Sequence, residues 1–251
     1  MAQHATYPDL DGAGVFITGG ATGIGAAMAE AFVGQGANVV FNDLDAQAGK
    51  ALADRLGAAC SFLACDAADP VALHASVTEA ERLTGGLSVL INNVANDRRE
   101  DLAQITPESW RAGLAVNLDP VLFATKVAAP AMAARGRGSV INFSSLNAFL
   151  GPADLPTYTT AKAAILGLTK SMAQQYGPSG VRVNAIVPGW VLTERQRRLW
   201  MSEDAEAAWK AQCALKDDLL PTDVADLALF LASGASRMIT GEAVVIDAGR
   251  T

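Results

Sequence analysis

Val15-Phe16-Ile17-Thr18-Gly19-Gly20-Ala21-Thr22-Gly23-Ile24-Gly25 reads as an apolar strand, a glycine-rich turn and the opening of a helix. Glycines at 19, 23 and 25 let the backbone turn tightly and approach a ligand with no Cβ in the way. A helix starting here presents free N–H groups and the positive end of its dipole to a pyrophosphate. Glycine spacing alone is weak, because any tight turn uses glycine. The strand–turn–helix setting near the start of the chain makes it a dinucleotide site, with Gly19, Thr22, Gly23, Ile24 and Gly25 as contacts.

Outward from this turn the chain alternates. Apolar runs rich in Val, Ile and Phe predict strands near Gly14–Gly20, Asn38–Asp43, Ser61–Asp66, Ser88–Val94, Ser139–Ser145, Arg182–Val187 and Ala243–Ile246. Helical periodicity covers Gly23–Gln35, Asp45–Leu56, Pro70–Leu83, Pro107–Ala134, Thr157–Tyr176 and Thr222–Ala232. Strands apolar on both sides suit a parallel sheet covered on both faces. Pro70, Pro107 and Pro221 stand where helices would begin. The expectation is α/β: one doubly wound domain over 1–251, with a seven-stranded parallel sheet. The least regular part, Trp190–Asp217, reads as a substrate lid at about 190–217.

Composition narrows the function. Of 251 residues, 51% are hydrophobic and 18% charged, below the roughly 25% charged of average soluble chains. Charges, Asn or Gln interrupt every apolar run before the roughly 18 residues of a spanning helix, so no membrane is expected. Net charge is 19 − 26 = −7, and the one basic cluster, Arg195-Gln196-Arg197-Arg198, is short. Nucleic acid is therefore not an expected partner. His4 and His74 are the only histidines, which excludes a histidine-rich metal site, and none is predicted. Cys60, Cys65 and Cys213 form no CxxC pair, and Met1–Asp11 is polar with no secretory pattern. Both fit a reducing, cytoplasmic setting. Asn142-Phe143-Ser144 matches a glycosylation sequon but falls inside a strand-like run.

The second strand ends in Asp43, 18 residues past Gly25. A carboxylate there can accept hydrogen bonds from an adenosine ribose. It would repel a 2′-phosphate by about 4 kcal/mol at ~4 Å and an effective dielectric of ~20. No Lys or Arg stands in the glycine turn to offset this, so NAD is favoured over NADP. The alternative is that Asp43 caps the next helix. Asp66, after the third strand, could reach the adenine edge, or be a cap in its turn.

In the second half, a strand ends in Ser144-Ser145. Twelve residues separate Ser145 from Tyr158, and Lys162 follows one helical turn later. A phenol with a reference pKa near 10 is a poor base at neutral pH. A neighbouring ammonium, with a positive nicotinamide ring, favours the phenolate. Ser145 can donate to or accept from the reacting oxygen. Asn117, mid-helix in the predicted Pro107–Ala134 segment, could hold a water linking Lys162 to solvent.

These residues together resemble the short-chain dehydrogenase/reductase family along essentially the whole chain. The matching pieces are Thr18-Gly19-x3-Gly23-Ile24-Gly25, Asn92-Asn93, Asn117, Ser145-x12-Tyr158-x3-Lys162, Pro188-Gly189-x3-Thr193 and Asp247-x-Gly249. The resemblance implies a Rossmann fold. It implies Tyr158 as acid/base, Lys162 as its modulator and ribose ligand, Ser145 as substrate-orienting hydroxyl and Asn117 as relay support. Asn93 and Thr193 join the expected NAD contacts, as do Ala67, Pro188 and Val191. Two departures stand out: Asn92-Asn93-Val94-Ala95 for the usual Asn-Asn-Ala-Gly, and Asp247-Ala248-Gly249 for Asp-Gly-Gly.

Residues following the strand tips should form the substrate side: Asn96, Asp97, Asn147, Asp154, Trp190, Gln196, Trp200 and Gln212. Amides and acids can pair with many hydroxyls, and an indole can stack on a sugar's C–H face. These groups could equally face solvent on a mobile lid. Asn96-Asp97-Arg98-Arg99, Pro188–Gln196 and Ala211-Gln212-Cys213 resemble the aldose 1-dehydrogenase branch, which includes bacterial xylose, arabinose and galactose dehydrogenases. That implies oxidation of a sugar C1 hydroxyl to a lactone, with NAD as acceptor, and a homotetramer. Alternatives are another short-chain alcohol or polyol dehydrogenase, a 3-oxoacyl reductase, or a non-catalytic NAD-binding regulator.

Overall fold

Short runs rich in Val, Ile, Leu and Phe form seven strands, which pair in one parallel sheet of order β3-β2-β1-β4-β5-β6-β7. The computed structural model describes residues 5–251; His4 and the first residues of the polar start lie outside them. In chain order the elements are β1 (Gly14–Thr18), α1 (Gly23–Gly34), β2 (Asn38–Asp43), α2 (Ala46–Leu56), β3 (Cys60–Ala64), α3 (Pro70–Thr84), β4 (Leu87–Asn92), α4 (Pro107–Asn117) and α5 (Asp119–Ala134). There follow β5 (Gly138–Phe143), α6 (Asn147–Leu150), α7 (Pro156–Tyr176), β6 (Val181–Pro188), α8 (Glu194–Leu199), α9 (Glu203–Gln212), α10 (Pro221–Ala232) and β7 (Ala243–Ile246).

The absence of alternation in the strands has a simple cause. In β1, Val15 and Ile17 enter a core shared with Met28 and Phe32 of α1 and Val224 and Leu229 of α10. Phe16 points the other way, among Leu73 and Val77 of α3, Met132 of α5 and Met172 of α7. Both faces are dry, so both sets of side chains are apolar. The strand order reverses between β1 and β4, and a ligand crevice opens beyond the carboxyl ends of such a pair.

A polar row crosses the sheet at that end. Asn92 Nδ2 donates to Asn142 Oδ1 at 2.9 Å, and Asn142 Nδ2 to Thr169 Oγ1 at 2.9 Å. Asn142 is fully buried, so its sequon has no access to solvent in the fold.

The expected single helix over 107–134 is two helices. Leu118 breaks it, with φ −125° and ψ −50°. Pro120 has no N–H to complete the ladder across this point, and its ring crowds the preceding turn. Asn117 is therefore the last residue of α4 rather than mid-helix. The 107–134 stretch is long and apolar enough by length and composition to cross a membrane. Here Val121, Ala124, Ala128 and Met132 of α5 are buried.

Segment 190–217 is more regular than expected, holding α8 and α9, capped by Thr193 and Ser202. Ala248 is the one non-glycine among the described residues at positive φ (59°). The departure from Asp-Gly-Gly thus falls where a left-handed conformation costs a residue with a Cβ about 1–2 kcal/mol. Cys60, Cys65 and Cys213 are free, and burial pushes the Cys60 thiol up to about 11.

Candidate active site

The glycine turn sits at the reversal of strand order. Gly19 and Gly23 have φ of +67° and +56°, and a Cβ on Gly25 would lie 2.1 Å from the Gly19 carbonyl oxygen. Asn93 Nδ2 donates to the carbonyls of Thr18 (3.1 Å) and Gly19 (2.8 Å), pinning the turn to β4. Thr18 Oγ1 accepts from the amides of Asn93 (3.0 Å) and Val94 (3.2 Å). The Thr193 methyl would lie 3.2 Å from a Cβ on Gly23, so Thr193 stands beside the turn. Pro188 closes β6, and Val191 is buried just beyond it.

Among helices of ten residues or more, α1 alone begins with neither a side-chain cap nor a proline. Thr22 is extended and gives no capping hydrogen bond. The amides that open α1, Ile24 included, lie next to the glycine turn and have no side-chain partner. Free donors, a positive helix end and space kept by missing side chains fit a pyrophosphate.

Asp43 is not the cap of α2. That cap is Asp45, whose carboxylate accepts from Ala48 N at 2.9 Å. Asp43 instead accepts from Ala21 N (3.0 Å) and Asp45 N (3.1 Å), which draws its carboxylate to the turn. Asp66 accepts from Ala68 N at 2.9 Å, and Ala67 is buried beside it. The neighbouring cap of α3 is Asp69, not Asp66.

Beyond β5, Ser145, Tyr158 and Lys162 come together. The Ser145 hydroxyl lies by the phenol of Tyr158, whose pKa it draws down, and accepts from Asn147 N at 3.2 Å. Lys162 is almost wholly buried, with Nζ 5.6 Å from the Tyr158 ring centroid. Its Nζ donates to the Phe143 carbonyl at 2.8 Å, and Ser144 Oγ donates to the Lys162 carbonyl at 2.7 Å. Ser144 and Phe143 were not foreseen as supports for this lysine.

Burial dominates the electrostatics of the protein alone. Burial pushes the Tyr158 phenol up to about 12, against the pull of Ser145 and Arg195, while Asp97 adds to the rise. Burial also draws Lys162 down to about 7. Removing both groups from water outweighs the gain from placing them together. The protein alone does not make this phenol acidic.

Asn117 does something more local than expected. Its Oδ1 accepts from Asn96 N at 2.8 Å, and its Nδ2 donates to the carbonyls of Asn96 and Gly113, both at 3.0 Å. Both ends of the amide are occupied in holding the loop after β4. Asn96 itself is exposed.

Among the residues expected to form the substrate side, Trp190 Nε1 donates to Gln196 Oε1 at 2.9 Å, and Gln196 Nε2 donates to Asp97 Oδ2 at 2.7 Å. Arg195 ion-pairs with Asp97. The Arg99 guanidinium lies 4.2 Å from the Trp200 ring centroid and pairs with Asp154. Asn147 opens α6 next to Ser145. Gln212 stays outside this group, its amide folded back on Ala208 of its own helix. The Asp97–Arg195 and Arg99–Asp154 pairs join residues 98 and 55 positions apart, and no local pattern announces them.

A dinucleotide turn at the strand-order reversal, with a Ser–Tyr–Lys cluster beside it, defines a nicotinamide-dependent oxidoreductase. The model of the family described as enoyl-(acyl carrier protein) reductase matches residues 19–251. The chain is 44% identical to a probable galactose dehydrogenase of Rhizobium meliloti, over 97% of this chain and 96% of that one. It is 42% identical to a D-xylose 1-dehydrogenase of Caulobacter vibrioides, over 98% and 99%. A 3-alpha-(or 20-beta)-hydroxysteroid dehydrogenase of Mycobacterium bovis is 38% identical over 96% and 90%. The chain belongs to the short-chain dehydrogenase/reductase family.

Proposed function

We propose that the chain is an NAD-dependent aldose 1-dehydrogenase that converts the C1 hydroxyl of a pyranose to a lactone. Two electrons leave C1 as hydride, the hydroxyl proton goes to Tyr158, and lactone, NADH and a proton result. When bound, NAD+ supplies the hydride acceptor and a positive ring next to the phenol. Gly19, Thr22, Gly23, Ile24, Gly25, Asn93 and Thr193 would hold its pyrophosphate and nicotinamide sides. Asp43 would hold its ribose, with Asp66, Ala67, Pro188 and Val191 around the remainder. Lys162 would steady the phenolate electrostatically and hold the nicotinamide ribose. Ser145 orients the reacting hydroxyl. Asn117 fixes the loop that carries Asn96.

The observation that carries the sugar reading is the polar cluster of Asp97, Arg195, Gln196 and Trp190, whose Asp97 and Arg195 act on Tyr158, with Asp154 and Trp200 grouped about Arg99 of the same loop after β4. Paired acids and amides suit a polyhydroxylated substrate, where a steroid would want a continuous apolar surface. The names of the relatives at 44% and 42% identity support it. The segment at about 190–217 serves as the lid of this cluster, and the working form is a cytoplasmic homotetramer with no nucleic-acid or membrane partner. The test is NADH formation against a panel of aldoses, polyols, hydroxysteroids and 3-oxoacyl thioesters, with product identification. Lactone from one or more aldoses is expected; turnover of only the other classes, or of none, removes the reading.

Trp200→Ala should raise KM for the sugar about tenfold, the scale of a lost stacking face, with little change in KM for NAD+. The indole lies against Arg99 of the loop after β4. Equal effects on both KM values would make the indole purely structural.

A further inference from the structure

Segment 190–217 poses a packing problem. Val191 and Leu192 are buried at one end and Cys213 at the other. Between them, neither α8 nor α9 has a buried residue. A helix of six residues has no stability of its own, and here no apolar face holds α8 down.

The loop after β4 supplies polar ties instead. Asp97 meets Arg195 through Oδ1 and Gln196 through Oδ2, so both carboxylate oxygens are taken by α8. The Gln196 amide is oriented by its other bond, from the Trp190 indole. Trp190 in turn meets Trp209 of α9 edge-on, with ring centroids 5.7 Å apart. One continuous chain of contacts therefore runs from the β4 loop through α8 to α9. The Asp97 side chain is only 20% exposed, which separates this pair from ordinary solvated ion pairs.

The β4 loop also reaches the start of α7, where Thr157 Oγ1, one residue before the phenol, donates to Glu100 Oε2 at 2.8 Å. Charged neighbours of Tyr158 are Lys162 on its own helix, Asp97 from the β4 loop and Arg195 from α8, with Ser145 uncharged beside them. Asp97 opposes loss of the phenolic proton, and Arg195 favours it. Arg195 belongs to α8 and Asp97 does not. While α8 is fastened the two charges oppose one another at the phenol; if α8 swings away, the carboxylate faces it alone.

We infer that Asp97 is a positioning residue that clamps α8 through Arg195 and Gln196 and thereby ties closure of the 190–217 segment to the proton transfer at Tyr158. The clamp stands on the contacts alone; its effect on chemistry rests on the reaction proposed above.

The experiment has two arms. The first needs no substrate: trypsin cleavage of the native chain after Arg197, Arg198 and Lys210. Asp97→Asn and Arg195→Met should speed these cuts roughly fivefold or more, as a weaker clamp populates the open form; unchanged rates overturn the clamp. The second is the pH dependence of kcat/KM. Arg195→Met should move the rising limb to higher pH, Arg195→Lys should restore it, and Asp97→Asn combined with Arg195→Met should bring it back. A limb that stays put, or moves upward in the double variant as in the single, overturns the coupling. If the native chain oxidises no sugar, the reaction reading fails. Ultraviolet titration of tyrosinate, referred to Tyr158→Phe, then decides the coupling by the same ordering of variants.

Discussion

Tyr158→Phe is expected to lower kcat by about 10³-fold or more, at the upper part of the range for general acid–base groups, with NAD+ affinity nearly unchanged. The substitution removes one oxygen and keeps the ring. Lys162 does not depend on that oxygen for its place, because its Nζ donates to the Phe143 carbonyl and the lysine carbonyl accepts from Ser144. Ser145 keeps its bond from Asn147 N. The loss is therefore one of chemistry and not of fold. The pH profile gives a second reading of the same variant. A phenol pushed up to about 12 by burial is protonated at neutral pH, and the phenolate is the active form in the oxidative direction. The native rate should rise with pH along a limb that disappears in the phenylalanine variant. NADH absorbance measures turnover, and calorimetry measures NAD+ binding. Native-like turnover would remove Tyr158 from the reaction.

The doubly wound sheet was legible because its cause is local. Parallel strands buried on both faces must be apolar throughout, as Val15, Phe16 and Ile17 are, and Pro70, Pro107 and Pro221 mark helix starts at the first turn. The glycine turn was legible for the same reason, since a backbone at positive φ selects glycine. The break between α4 and α5 also had a local signal in Pro120, outweighed by the apolar periodicity on either side. What stayed hidden was long-range. Nothing in Asn96-Asp97-Arg98-Arg99 says that Asp97 turns to Arg195 and Arg99 to Asp154 and Trp200. The amide of Asn117 could as well have held a water as the Asn96 backbone. Burial of Tyr158 and Lys162 is likewise long-range. One-turn spacing states that the two groups are neighbours, but only the fold states that both are stripped of water.

Asp43→Asn and Asp43→Ala should raise the ratio of kcat/KM for NADP+ to that for NAD+ by at least tenfold, and by up to about a thousandfold. The ceiling is the ~4 kcal/mol repulsion between a carboxylate and a 2′-phosphate at ~4 Å in an effective dielectric of ~20. Asp43 is half-buried at the tip of β2, and its neighbour Leu44 is 70% exposed and uncharged. Water there will screen part of the repulsion. No cation between Gly19 and Gly25 offsets the charge. The two variants separate charge from shape. Asp43 Oδ2 accepts from Ala21 N within the turn. Asparagine keeps an acceptor there without the charge, while alanine removes both and leaves that amide without its partner, at a cost on the order of 1 kcal/mol. If repulsion sets the preference, asparagine shifts the ratio nearly as far as alanine, and alanine alone weakens both cofactors through a looser turn. If the carboxylate matters only as a brace for the turn, asparagine leaves the ratio untouched and alanine lowers both kcat/KM values together. A ratio unchanged in both variants would defeat the assignment of NAD specificity to Asp43.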